Sequence, residues 1–383
     1  MVQKRATCLL GNGLSVAYNN DLSVAQLTID IQAAFSDLGG TAAEDALRAL
    51  ASTVRGTAAD NFEQLLGPLD TVSAVLPQLD RLAAVSDRTS DGSVHDAVRV
   101  LTGFTEDVHR IGLGITLEMI ARRSVEVGGG HFDTTVKKVV ADLLGFGFEE
   151  PLTIATLSYD TLVLAALIEE CDNRRLQLSD LGSGLPSQKK LRSISTKRTG
   201  ESLARSLRRD DDFIGEVQLI HLHGSLGWLG EPDGSDAYKF DIESLRSDRG
   251  WPDYYWTHFQ NGDAVLRPVL VLTDRKNEAV ITWPFSLAYA TFEARLAASS
   301  HWMIGGYGFG DDPVNAALRR ARKARLEAGL SDPILFVIGT GTKRAIKGRV
   351  LSAIGTAPDY VDTAGFPDAS AGAPAAAWLA ESP

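Results

Sequence analysis

The residues of this chain best equipped for chemistry fall at places where an apolar run gives way to a short polar turn. His223 stands in His221-Leu222-His223-Gly224-Ser225, and an imidazole at a strand end is a base whose proton affinity can be set near neutral pH. His221, one period-two step earlier, would face the same side deeper in the sheet. Ser158, in Ser158-Tyr159-Asp160, carries a hydroxyl that both donates and accepts. Asp160, Asp311 and Asn315 are candidates to bond a polar ligand, and either aspartate could equally cap the helix after it. Gly11-Asn12-Gly13, followed by Ser15, joins an apolar run to a helix-compatible one. Free backbone N–H groups and the positive end of a helix dipole would suit a phosphate there. A Cβ at either glycine would block close approach of that ligand. The third glycine of the usual dinucleotide fingerprint is absent, its place taken by Ala17 and Tyr18.

These turns need elements to position them. Apolar runs of strand length end at Gly11, Leu157, Leu222, Leu272, Gly305 and Ile338, and helical patterns alternate with them. This alternation predicts an α/β fold, a Rossmann-like doubly wound parallel sheet, with ligands bound outside the carboxyl ends of the strands. Gly11–Ser15, Ser158–Asp160, His223–Ser225, Gly306–Asp311 (with Gly306 and Gly308) and Gly339–Thr342 would all share that edge. Their convergence predicts a nucleotide site. Asp274 and Lys276 fall near the same edge, and Glu63 is read as support for the first loop.

Residues 1–60 then form the first part of the core and 61–150 a helical insert or cap, with helices at Val72–Val85, Val94–Arg123 and Thr134–Leu144. Thr41–Arg55 reads as a further amphipathic helix. Residues 151–362 complete the core. Within them, 174–209 carry ten Lys/Arg against two acids and read as a solvated basic excursion. Trp251, Tyr254, Tyr255 and Trp256 mark a packed loop or cover. Residues 363–383, rich in Ala, Pro, Gly and Asp, read as a loosely ordered tail.

Composition narrows the function classes. A formal charge of −11 over 383 residues argues against nucleic acid or an anionic membrane surface as partner. The longest apolar stretches fall short of a membrane span, and the first strand begins too early to leave room for a signal peptide, so a cytoplasmic location is expected. With Cys8 and Cys171 as the only cysteines, a four-cysteine zinc site cannot be built.

Five pieces, in order, carry a resemblance. They are Gly11-Asn12-Gly13-Leu14-Ser15, Asn61-Phe62-Glu63, Ser158-Tyr159-Asp160, Leu222-His223-Gly224-Ser225 and Gly306-Tyr307-Gly308-Phe309-Gly310-Asp311. Together they resemble the sirtuin-like NAD-hydrolysing domains of prokaryotic antiphage-defence proteins, over about residues 5–345. The resemblance implies NAD+ as substrate, cleavage of the nicotinamide–ribose bond without zinc, and depletion of NAD+ during infection. It implies His223 as base, Ser158 as the group holding ribose and water, and Asp311 and Asn315 toward ribose hydroxyls. As partners it implies further copies of the chain or a co-encoded defence protein. One position departs from the pattern: the family carries Asn where this chain has Ser158. A shorter side chain there leaves open an alternative, a catalytically silent NAD or ADP-ribose sensor or an interaction subunit of a defence complex.

Overall fold

The computed structural model describes residues 4–34, 36–37, 45, 49, 61–86, 93–126, 130–148, 151–190, 197–204, 215–231, 234–240, 267–272, 276–368 and 372–382. The expected helix at Thr41–Arg55 lies almost wholly outside them, and the aromatic run at 251–256 and Asp274 lie entirely outside.

The frame is a seven-stranded parallel sheet. Its strands are β1 (Ala6–Leu10), β2 (Leu152–Thr156), β3 (Leu178–Ser179), β6 (Val217–His221), β10 (His301–Gly305), β11 (Ile334–Ile338) and β12 (Tyr360–Asp362), in the order β12-β11-β10-β1-β2-β6-β3. All neighbours pair in parallel, with Leu10 opposite Gly305 on one side and Thr156 on the other. Parallel strands are covered on both faces, which is why β1, Ala-Thr-Cys-Leu-Leu, is buried at every position rather than alternating with polar residues. The alternation survives as a choice between two cores. Ala6, Cys8 and Leu10 enter one, and Leu9 enters the other.

Helices fill both cores. On the face of Cys8 lie α1 (Gly13–Tyr18), α5 (Lys138–Gly145), α6 (Leu162–Arg174) and the C-terminal helix α11 (Ala373–Ala380). On the face of Leu9 lie α8 (Phe285–Ala298), α9 (Asp312–Glu327) and α10 (Lys343–Ile354). This is the Rossmann-like, doubly wound architecture. Chain direction across the sheet reverses between β1 and β10, and their carboxyl ends open the crevice in which such folds bind ligands.

After α2 (residues 24–34), which belongs to the first core segment, the insert is helical: α3 (Phe62–Ser86) packs along α4 (Ser93–Glu126). Phe62, Leu66, Ile115 and Ile120 bury into the Cys8-side core, so the insert is seated on the sheet. Its far end is tied to the end of α1, the residue after it and α2. Asn19 Nδ2 donates to Arg123 O at 3.0 Å, Tyr18 donates to Ser124 O at 3.1 Å, and Arg123 pairs with Asp30.

Two regions depart from the sequence reading. The segment 174–209 is not simply an excursion: β4 (Gly182–Lys190) and β5 (Lys197–Leu203) pair in an antiparallel five-stranded sheet ordered β4-β5-β8-β7-β9. The others are β7 (Gly224–Gly230), β8 (Ala237–Phe240) and β9 (Arg267–Leu270), so the run ending at Leu272 joins this second sheet rather than the parallel one. A strand's partner is chosen by long-range pairing, which the local apolar pattern does not encode. The tail is likewise not loose. Trp378 is fully buried against Phe146, Phe148, His301 and Phe336, and its indole donates to Ile334 O at 2.9 Å. One large aromatic side chain outweighs the weak signal of its Ala-rich surroundings.

Candidate active site

The two glycine turns meet at the reversal point. Gly11 N–H donates to Gly305 O and Gly13 N–H to Gly306 O, both at 2.9 Å, while Leu14 N–H turns back to Gly11 O at 3.3 Å. The N–H groups expected to await a phosphate at these three positions are therefore engaged within the protein. The glycines answer a different need. A Cβ on Gly13 would stand 2.6 Å from Gly306 Cα, and one on Gly11 would stand 2.5 Å from Gly306 O. Gly306 itself has φ +65°, so both sides of this contact require the absence of a side chain. The first turn shapes the crevice by packing on the second.

Below the turns is a cavity of about 310 Å³, at the lower end of the roughly 300–1,000 Å³ typical of small-molecule sites. Of the residues singled out from the sequence, Asn12, Ser158, Asp160, His223, Gly306, Gly308 and Asp311 line it. Gly11, Gly13, Ser15 and Asn315 do not, and support those that do. Asn315 donates to Phe309 O at 3.0 Å and has its Oδ1 2.9 Å from the Tyr307 hydroxyl, so it braces the Gly-rich loop. Phe309 in that loop has φ +61°, a left-handed conformation that a bulky side chain holds only where the surroundings enforce it.

On one wall runs a buried polar chain. Ser15 Oγ donates to Asp160 Oδ2 at 2.6 Å and lies 3.0 Å from Ser158 Oγ. Asp160 Oδ1 accepts from Leu162 N–H at 3.0 Å, a turn bond just ahead of Thr161, the N-cap of α6, and the carboxylate also faces the cavity. Burial raises the Asp160 pKa above the usual carboxylate value, against the Ser15 and backbone hydrogen bonds. Sequence reasoning placed Ser15 among the ligand contacts; its hydroxyl instead orients Ser158 and Asp160.

At the neighbouring strand end His223 sits in the bend between β6 and β7, its side chain 5% exposed. Nε2 is 3.4 Å from the Tyr289 hydroxyl and 3.5 Å from Asp311 Oδ2. Asp311 is the N-cap of α9, with Oδ1 accepting from Val314 N–H at 3.2 Å, and its second oxygen faces the basic groups Lys276 and His223. Of the two roles weighed from the sequence, the helix cap is the one seen here. Lys276 Nζ, on the short helix α7 (Lys276–Ala279), lies 2.9 Å from Asp311 Oδ2 and 2.8 Å from Glu63 Oε2. Glu63 Oε1 in turn is 2.6 Å from the Tyr159 hydroxyl. Glu63 does more than support a loop, because it joins the insert to both Lys276 and Tyr159. Sequence proximity to the edge marked Lys276, but nothing local signalled its pairing with groups 213 and 35 residues away.

Electrostatics follow from burial. His223 is held down to about 4 by desolvation, helped by the neighbouring Lys276 and opposed by Asp311 and Glu63. Its imidazole is neutral at physiological pH and able to accept a proton. Lys276 stays above its ordinary value because Glu63 and Asp311 outweigh the desolvation that opposes them. For Asp311, burial is likewise outweighed, by His223, Lys276 and the backbone N–H of Val314, and its pKa is lowered. His221 is also pressed to about 4 by burial, but it packs against Trp228 and does not line the cavity. Among the described residues no group of three or more His, Cys, Asp or Glu side chains is arranged to hold a metal ion, and no helix is long and apolar enough to cross a membrane.

No protein-family model matches the chain, and no curated protein sequence matches it.

Proposed function

We propose that this chain is an NAD+ glycohydrolase, cleaving the nicotinamide–ribose bond to give ADP-ribose and nicotinamide, and that it serves as an abortive-infection effector. The observation that carries the reading is one cavity at the sheet's reversal point, lined together by Ser158, Asp160, His223 and Asp311. In the proposed reaction the C1′–N1 bond breaks with its electron pair leaving on nicotinamide. That group departs neutral from a cationic precursor, so no strong acid is required. Water attacks C1′ and its proton passes to His223, which is uncharged beforehand. Ser158 would hold the water or a ribose hydroxyl, with its own hydroxyl oriented by Ser15. Gly306, Gly308 and Asp311 would face the ribose.

The reading is tested by incubating purified protein with NAD+ and following nicotinamide release, with and without candidate activators. His223→Ala should lower turnover by about 10² or more while changing NAD+ affinity far less. A variant keeping over half the wild-type rate would remove His223 from the chemistry. The sensor reading is favoured by the shorter Ser158 and by a base pressed well below neutral; NAD+ binding with no release under any trigger would establish it.

A further inference from the structure

Asp311 Oδ2 lies between two basic groups, and one holds it more closely than the other. Lys276 Nζ takes it at 2.9 Å, while His223 Nε2 waits at 3.5 Å, beyond good hydrogen-bond distance. The groups facing His223 come from every neighbouring element. Asp311 and Lys276 approach from the Gly-rich loop and α7, Glu63 from α3, the Tyr159 ring at 6.3 Å from the turn after β2, and the Tyr289 hydroxyl at 3.4 Å from α8. Asp311 is the nearest acid among them. Lys276 lines the cavity with its side chain 21% exposed, so its ammonium is within reach of an entering anion. Lysine binds phosphate as a compact point charge on a flexible stem, and such a group is readily redirected.

We propose that Lys276 is a displaceable counterion: a phosphate-bearing ligand draws its ammonium off Asp311, and the released carboxylate pairs with His223, so the base gains proton affinity only once ligand is in place. The inference rests on reading the cavity as a dinucleotide site, and it makes Lys276 a positioning residue rather than a catalytic one. Glu63 keeps its bond to Tyr159 throughout, so the insert need not move. The electrostatics agree, since Lys276 lowers and Asp311 raises the proton affinity of His223 in the ligand-free state.

The test follows the His223 ring by NMR across pH in the full chain. Ligand-free Lys276→Met should raise the His223 midpoint from about 4 by about one to three pH units, the effect of an opposite charge brought within a few ångströms. Lys276→Arg should leave it where it is, and Lys276→Met combined with Asp311→Asn should cancel the rise. In wild-type protein, saturating ADP-ribose should raise the midpoint in the same direction, while nicotinamide should not. An unchanged midpoint in Lys276→Met, or a rise that survives Asp311→Asn undiminished, would overturn the sharing of the carboxylate. No rise with ADP-ribose would overturn the displacement, and that arm uses wild-type protein whatever the fate of the variants. Absence of nicotinamide release with both shifts intact would sink the hydrolase reading and leave this one standing.

Discussion

Substituting Gly13 by Ala tests the central contact of the fold. In an ordinary helix start the change would help, since Ala is favoured over Gly by about 0.5–1 kcal/mol. Here the new Cβ would lie 2.6 Å from Gly306 Cα, 2.9 Å from Gly306 O and 3.1 Å from Gly306 C, all backbone atoms with no rotamer to yield. The two turns must separate, an overpacking cost of about 1–3 kcal/mol. Separation also stretches the 2.9 Å bond from Gly13 N–H to Gly306 O, worth about 0.5–1.5 kcal/mol. After the helix-propensity gain the net loss is about 2 kcal/mol, a fall in melting temperature of roughly 2–3 °C for a chain of this length. Gly308→Ala is the control: nothing lies within 4 Å of its Cβ, so stability should stay within about 0.5 kcal/mol of wild type. Thermal melts of the three proteins side by side decide the matter. Gly13→Ala melting at or above wild type would refute the loop-on-loop account and return Gly13 to the ligand.

Ser158→Asn should speed nicotinamide release if the serine is a shortened version of a water-holding amide; slower release in initial-rate assays would mean the Ser158 hydroxyl acts in its own right. Trp378→Ala should cost about 3–5 kcal/mol in urea unfolding, because the indole is fully buried, and a change under 1 kcal/mol would restore the loose tail. Folding stability should fall between pH 6.5 and about 4. In that window His221 and His223 are neutral in the folded protein but protonated once unfolded, so the unfolded chain binds the extra protons, and each histidine contributes up to about 3 kcal/mol that is present above pH 6.5 and lost on acidification. Urea midpoints at several pH values for wild type and His221→Gln check this: a slope unchanged by the substitution would contradict it.

What the sequence by itself determined is local. The strand runs ending at Gly11, Leu157, Leu222, Gly305 and Ile338, and the helices between them, were legible because burial on a parallel sheet and on one helical face leaves apolar runs and 3.6-residue spacing. The doubly wound class follows from their alternation, and with it the edge on which Ser158, Asp160, His223, Gly306 and Asp311 come together. Asp311 could be read as a cap because a cap needs only the next few residues. What tertiary structure decided depends on partners far away in the chain. Only the fold shows that Gly11 and Gly13 are glycines to meet Gly306, that Ser15 serves Ser158 and Asp160, and that the run ending at Leu272 pairs antiparallel in a second sheet. Lys276 reaches Glu63 and Asp311 for the same reason: a side chain's ionic partners are set by which elements pack together, and no spacing along the chain carries that information.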